Sequence, residues 1–390
     1  MTLTLIPHYS LKVESNSMIR ITKIQLFCLI MLFEIGSTTL FALGIGAKQD
    51  AWLVVLTSSL GGFILLWVYT QIPKYYPKQN FAEILRKVVG NKLAAPLILL
   101  FGIYFFDTAS HNFYEFGHLI QLTALPRTPL LIILYLFIFA AIYILCLGFE
   151  VFARTAEILF PVFLIFLVAI YIITLFSGNF DITELLPVLG NGMSQIMPEL
   201  YRVIAFPYGE MVVFLMYWHY VDEQNMIRKT AFTAVILSTI LIDLTLIVII
   251  SVLGPDLAGS ALIPLLETIL SINIADIITN LDLLAVLIMF IGGFYKMSLH
   301  LYGFALALTW IFHAKSPNKI LILSGLFFPL YVVHRFPGLD YKHLKGDILM
   351  FTILLYAFIP ILVLILSYLL KKKHPSPREN STTKSHSDNQ

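Results

Sequence analysis

The chain has 390 residues, of which 59% are hydrophobic and 12% charged, with a mean hydropathy of +0.87 and a formal net charge of +2. A soluble domain carries roughly 25% charged residues, so this composition excludes a soluble enzyme and requires a protein that crosses the membrane many times, while so small a net charge gives no argument for a nucleic-acid partner. Cys28 and Cys146 are the only cysteines; both sit in apolar stretches without metal-type histidine spacing and read as small buried hydrophobes.

Residues 1–17 lack an apolar core ending in a small-residue cleavage site, so no cleaved signal peptide is expected. Each span needs about 20 apolar residues, and ten such stretches follow: 24–46, 51–72, 94–123, 129–149, 155–176, 199–221, 230–253, 277–302, 319–333 and 347–370. The chain thus divides into a cytoplasmic segment 1–20, a transmembrane domain 21–371 and a disordered tail 372–390. With the N-terminus inside, 18 of the 25 Lys and Arg fall on the cytoplasmic side and 5 outside, which predicts N-in, C-in topology. Between the second and third spans, Phe81–Val89 predicts a short amphipathic helix on the inner surface, its basic face toward anionic lipid.

Two spans are interrupted near their middles. The first carries Glu34-Ile35-Gly36-Ser37-Thr38-Thr39, and the sixth carries Phe206-Pro207-Tyr208-Gly209-Glu210. Lipid cannot satisfy a freed backbone amide, so such breaks persist only where protein or a wet cavity does. Paired broken helices at matching positions of two halves point to a solute site at the bilayer midplane. The exposed N–H groups of one half-helix attract a carboxylate and the carbonyls of the other attract an ammonium. Gly36 and Gly209 leave room beside the backbone, Pro207 frees a carbonyl, and Ser37, Thr38, Thr39 and Tyr208 offer hydroxyls.

Glu34, Asp107, His111, Glu115, Glu210, Asp243 and Lys296 lie well inside the spans, and each is a functional candidate because charge at the bilayer centre is costly. In the third span Asp107, His111 and Glu115 recur at i, i+4, i+8 along one stripe beside Tyr104 and Thr108. That stripe reads equally as a cavity wall, as a proton relay through a histidine, or as a hydrogen-bonded interhelical seam. The eighth span carries Gly292-Gly293-Phe294-Tyr295-Lys296, where the glycines allow close helix approach and Lys296 needs a partner such as Glu34 or Glu210. A fixed ammonium there could also stand in place of a coupling cation. Asp243 is solitary in the seventh span and reads as a structural hydrogen-bonding group.

At this point the chain resembles the spore germination permeases, the B subunits of nutrient germinant receptors, within the amino acid/polyamine/organocation transporter superfamily. The resemblance runs from about Ile21 to Lys373. It rests on Ile21-Thr22-Lys23-Ile24-Gln25, Arg127-Thr128-Pro129, Gly148-Phe149-Glu150 through Phe160-Pro161, both breaks, and Gly292 to Lys296. Leu186-Pro187-Val188-Leu189-Gly190-Asn191-Gly192, ahead of the sixth span, is its most specific run. The resemblance implies an all-α polytopic membrane protein with about ten transmembrane helices in two inverted five-helix repeats, helices 1 and 6 broken. It implies no enzymatic activity and no cofactor. It further implies a nutrient, an amino acid in the first instance, bound among Gly36, Ser37, Thr38, Tyr104, Thr108, Phe206, Pro207, Tyr208, Gly209 and Tyr295. Read from their positions inside the spans and not from the resemblance, Glu34, Asp107, His111, Glu210 and Lys296 are candidates for coupling or structural charge. The implied partners are the receptor A subunit and lipoprotein C subunit in the spore inner membrane. Asp107, His111 and Glu34 are more polar than amino-acid-sensing members lead one to expect. The alternative is an autonomous proton- or cation-coupled amino acid transporter. On this reading Gly36→Trp abolishes the nutrient response and leaves abundance intact.

Overall fold

The computed structural model describes residues 20–190, 192–271, 282–336 and 346–373; the predicted N-terminal segment, the tail beyond 373, Asn191 and the start of the eighth span lie outside these. The architecture is helical throughout, as the sequence predicts. In chain order the helices are α1 (Lys23–Thr38), α2 (Ala51–Tyr75), α3 (Phe81–Val89), α4 (Asn91–Thr123), α5 (Leu130–Leu147) and α6 (Phe149–Phe176). They continue as α7 (Met193–Ala205), α8 (Ile227–Ser260), α9 (Pro264–Leu270), α10 (Asp282–Ile311), α11 (Asn318–Arg335) and α12 (Gly346–Lys373). Short 3-10 segments follow both breaks: Ile45–Asp50 leads into α2, and Tyr208–Met216 continues the sixth span.

Among the described residues, seven helical segments are long and apolar enough to cross a membrane: Ile45–Tyr75, Asn91–Thr123, Leu130–Leu147, Phe149–Phe176, Gln224–Ser260, Leu284–Ile311 and Ile348–Leu370. The other three predicted spans are the two interrupted ones and α11, whose ends carry Asn318, Lys319, His334 and Arg335. The helix order repeats: a broken span, a long helix, a short helix (α3 or α9), then three further long helices.

Local chemistry sets the boundaries. Thr22 caps α1 by accepting from the Gln25 amide at 3.2 Å, while Gln25 Oε1 accepts from the Thr22 amide at 3.1 Å. Asn80 and Glu83 make the same reciprocal cap on α3, whose Phe81, Ala82, Ile84 and Leu85 are buried toward α4 and α12. Gly148, at φ +123°, turns α5 directly into α6, a conformation that side-chain-bearing residues rarely adopt.

The buried centre is α1, which packs against α6, α8 and α10. At one end of the bundle α1 is tied to the sixth span. Ile21 and Val221 form an isolated bridge, with Ile21 N donating to Tyr220 O at 2.9 Å and Asp222 N to Ile21 O at 3.0 Å. Arg20 pairs with Asp222 at 3.2 Å and Lys23 with Glu223 at 3.3 Å, all four side chains about half exposed. Exposed pairs contribute little, roughly 0–1 kcal/mol, so Lys23→Ala is expected to shift the melting temperature of the purified chain by no more than a degree or two. A large drop would mean that this pair, and not the backbone bridge, holds the seam.

Candidate functional site

The first break lies about one turn later than the sequence suggests. α1 stays helical through Glu34, Gly36 and Thr38, because Thr38 Oγ1 donates to Glu34 O and Thr39 Oγ1 to Ile35 O at 2.8 Å, keeping both hydroxyls within the helix. The chain then turns at residues 39–44. Its last carbonyls are taken up locally: Leu40 N donates to Ser37 O at 3.3 Å and Phe41 N to Thr38 O at 3.4 Å. From the other half of the chain, Leu265 of α9 donates to Leu40 O at 3.3 Å. The second break is where the sequence puts it. α7 ends at Ala205, the Phe206–Pro207 peptide is cis, and the 3-10 segment begins at Tyr208.

The glycines at and around the two breaks have separate packing roles. A Cβ on Gly36 would overlap the Gly292 backbone, and one on Gly292 would overlap Gly36, so the pair marks where α1 and α10 cross with no side chain between them. On Gly209 it would come within 3.2 Å of Ile353 Cγ2 and 3.3 Å of Ile204 O. Gly62 and Gly293 leave room for the rings of Tyr208 and Phe116.

Lys296 stands at the centre of this crossing and is fully buried. Of the two carboxylates that the sequence offers it, Glu210 is the partner: Lys296 Nζ lies 2.7 Å from Glu210 Oε2 and donates to Ser37 Oγ at 2.9 Å. The ammonium also sits 4.0 Å from the centroid of the Phe206 ring and 5.0 Å from that of Phe33. One cation thus joins α10, α1 and the sixth span. Glu34 is buried in the same region, and its carboxyl oxygens meet no hydrogen-bond partner among the described residues. The same holds for Asp243, where the sequence predicts a hydrogen bond.

Beside the crossing opens a cavity of about 460 Å³, within the roughly 300–1,000 Å³ range of small-molecule sites. Phe206 and Glu210 line it, together with Thr108, His111 and Glu115 of α4. Residues of the first break (Phe41, Ala42, Ile45), the end of α8 (Ala258 to Leu262) and the start of α12 (Leu349, Met350, Ile353) complete it. It therefore lies toward the bundle end opposite the Ile21–Val221 bridge. Among the predicted site residues, Thr108, Phe206, His111 and Glu210 line this cavity. Ser37, Glu34, Gly36 and Lys296 lie behind it in the α1–α10 crossing.

The remaining predicted residues are held in packing. Tyr104 stacks on Tyr356 with centroids 4.4 Å apart. Tyr208 shares a 2.9 Å hydrogen bond with Thr239, and Tyr295 donates to Thr155 Oγ1 at 2.9 Å. Thr38 closes its own helix, while Pro207 and Gly209 shape the second break. Asp107 is paired with Arg335 at the end of α11, and His111 Nε2 lies 3.7 Å from Asp107 Oδ2. Sequence reasoning missed the Asp107–Arg335 pair. It also missed the lining from α8, whose signal is the small-residue run Ala258-Gly259-Ser260-Ala261 just beyond the Gly254-Pro255 kink.

The run Leu186 to Gly190 is a clip on the segment following the first break. Leu189, at φ +57°, donates its amide to Asp50 Oδ1 at 2.8 Å, and Gln49 Nε2 donates to Pro187 O at 3.2 Å.

Against known proteins, the profile of the family described as Spore germination protein matches residues 20–336. Spore germination protein KB of Bacillus subtilis is 32% identical over 308 residues, covering 79% of this chain and 83% of its own. Spore germination protein B2 of the same organism is 21% identical, covering 83% and 88%. Among solved structures, the nucleobase-cation-symport-1 family transporter Mhp1, in a closed conformation with bromovinylhydantoin bound, superposes with a TM-score of 0.67 at 14% identity, over 94% of this chain and 83% of that one. MhsT in complex with L-phenylalanine gives 0.63 at 16% identity, over 89% and 88%. The architecture is shared with small-solute transporters.

Proposed function

This chain belongs to the spore germination protein family, and we propose that it is the membrane subunit of a germinant receptor that binds a small nutrient between its broken helices. The observation that carries this reading is the cavity of about 460 Å³ lined by Phe206 and Glu210 of the second break together with residues of the first break. A solute held there touches both broken spans at once, so it stabilises one arrangement of the bundle over another. The receptor A subunit and lipoprotein C subunit would carry that change onward. The excess of Lys and Arg at the end bearing Arg20 supports placing both termini inside, with the cavity facing outward across the spore inner membrane. An amino acid fits the mixed lining, since Glu210 and Glu115 face it together with Thr108 and a largely apolar wall.

The test uses spores. A strain lacking this chain, exposed to a panel of amino acids and sugars, loses its response to the nutrients that the receptor reads, and the wild-type chain restores it. Ala261→Trp fills the mouth of the cavity from a half-buried position and is expected to abolish that restored response at unchanged protein abundance. Phe206→Ala is expected to raise the half-effective concentration about tenfold, or about 1.4 kcal/mol. Unchanged dose–response curves in both variants would remove the cavity from the mechanism. Reconstitution of the chain alone in liposomes addresses the transporter alternative: saturable, gradient-driven uptake of the same nutrient would replace the receptor reading with that one.

A further inference from the structure

Where α10 crosses α1, beside the second break, one ammonium lies among two carboxyls. Lys296 is committed to Glu210 at 2.7 Å and to Ser37 at 2.9 Å. Glu34 lies one turn before Ser37 on α1, is 0% exposed, and neither of its oxygens has a hydrogen-bond partner among the described residues. Its electrostatic neighbours are Lys296 and the like-charged Glu210. The Tyr208 hydroxyl, bonded to Thr239, senses both Glu34 and Asp243 of α8. Tyr104 of α4 faces Glu210, and Glu157 of α6 lies toward the other end of α1, beside Gln25 and Cys28. His300, one turn after Lys296 on α10, is fully buried as well, with its Nδ1 2.9 Å from the Lys296 carbonyl oxygen; among the described residues, no further Lys or Arg sits with these groups. An ionised Glu34 would be an uncompensated charge in the bilayer interior, next to another of the same sign.

We propose that Glu34 is a proton-binding site, storing a proton that it exchanges with Glu210 across Lys296. While Lys296 pairs with Glu210, Glu34 is a neutral carboxylic acid. When Lys296 turns to Glu34, the O–H bond of that acid breaks, and its proton passes to the Glu210 carboxylate. The triad keeps the same total charge in both arrangements. The reach required is short, because Lys296 is already bonded to Ser37 on the same face of α1. Glu210 lines the cavity and Glu34 does not, so the exchange moves a proton from a sealed position to one that solvent or a bound solute can address. A solute with its own cationic group could instead take the place of Lys296 at Glu210, which then stays ionised; Lys296 turns to Glu34, and the proton of Glu34 leaves the triad through the cavity. The site stands whatever solute the cavity takes.

Infrared spectroscopy of the purified full chain in detergent at neutral pH tests this through the carbonyl stretch of protonated carboxyl groups. Glu34→Gln, an isostere of the neutral acid, is expected to accumulate as wild type and to lose one such band, of the intensity of a single group. Asp243→Asn identifies any separate band from that residue. Glu210→Gln leaves Lys296 with Glu34 as its carboxyl partner, so the band that Glu34→Gln removes is expected to vanish there too. A Glu34→Gln spectrum identical to wild type would show that Glu34 is ionised, and a Glu210→Gln spectrum that keeps the band would show that no exchange occurs. Either result overturns the proposal, and the first is obtained even where Glu210→Gln fails to fold.

Discussion

Replacing Lys296 with Met is expected to remove most of the folded protein from the membrane. The substitution keeps the apolar stem and deletes the charge, which leaves Glu210 buried beside Phe206 with no cation within reach among the described residues. Breaking a buried pair by removing one partner costs about 3–5 kcal/mol, because the remaining group must be desolvated without compensation. That is a large share of the roughly 5–15 kcal/mol by which a folded domain is stable. Removing both charges together is far milder, since Met and Gln pack as a neutral pair. Abundance in the membrane fraction and thermal unfolding in detergent are the measurements: Lys296→Met is expected to be strongly depleted, and Lys296→Met with Glu210→Gln to recover most of the loss. A single variant as stable as wild type would mean that the pair contributes nothing to the fold.

The second large effect is expected at the α1–α10 crossing. A single methyl at Gly36 or Gly292 meets the opposing backbone and not the movable end of a side chain. The helices must separate to admit it, and the Lys296–Ser37 hydrogen bond separates with them. Overpacking of a well-filled core costs roughly 1–3 kcal/mol and occasionally more; with backbone on both sides, Gly36→Ala and Gly292→Ala are each expected near 3 kcal/mol. Gly259→Ala is the control, since its added carbon would meet only Ile45 Cγ1, at an ordinary 3.5 Å, and should change stability by no more than about 0.5 kcal/mol. Equal melting temperatures in all three variants would contradict the crossing. This geometry also corrects the expectation attached to Gly36→Trp. That variant loses the protein itself, so a lost nutrient response in it says nothing about the ligand.

The helical class, the long spans and the second break were legible because each is local. Hydropathy marks a span, and Phe206-Pro207 ends a helix wherever it stands. The first break was displaced because Gly36 and the adjoining hydroxyls look like interruptions in one dimension. In three dimensions the glycine is a contact and the hydroxyls bond back into their own helix. Lys296 was legible as needing a carboxylate, but choosing Glu210 over Glu34 depends on where α10 crosses α1, which no spacing encodes. The cavity lining from α8 and α12 was invisible for the same reason: Ala258 to Leu262 and Leu349 to Ile353 are ordinary apolar residues until the fold gathers them. Arg335 reads as a loop cation because it ends its helix, and only the placement of α11 brings it to Asp107.

The backbone bridge between Ile21 and Val221 has one further consequence. Any solute leaving the cavity toward that end would have to break a pair of main-chain hydrogen bonds and the ion pairs flanking them, at a place where the cavity has already ended. Substitutions that leave every backbone N–H in place cannot remove the main-chain bonds, so they thin the seam without opening it; only a proline deletes a donor. Leakiness and deafness are then separable defects: changes in the cavity silence the protein and keep the barrier tight, whereas Ile21→Pro, which deletes one of the two donors, would breach the barrier first.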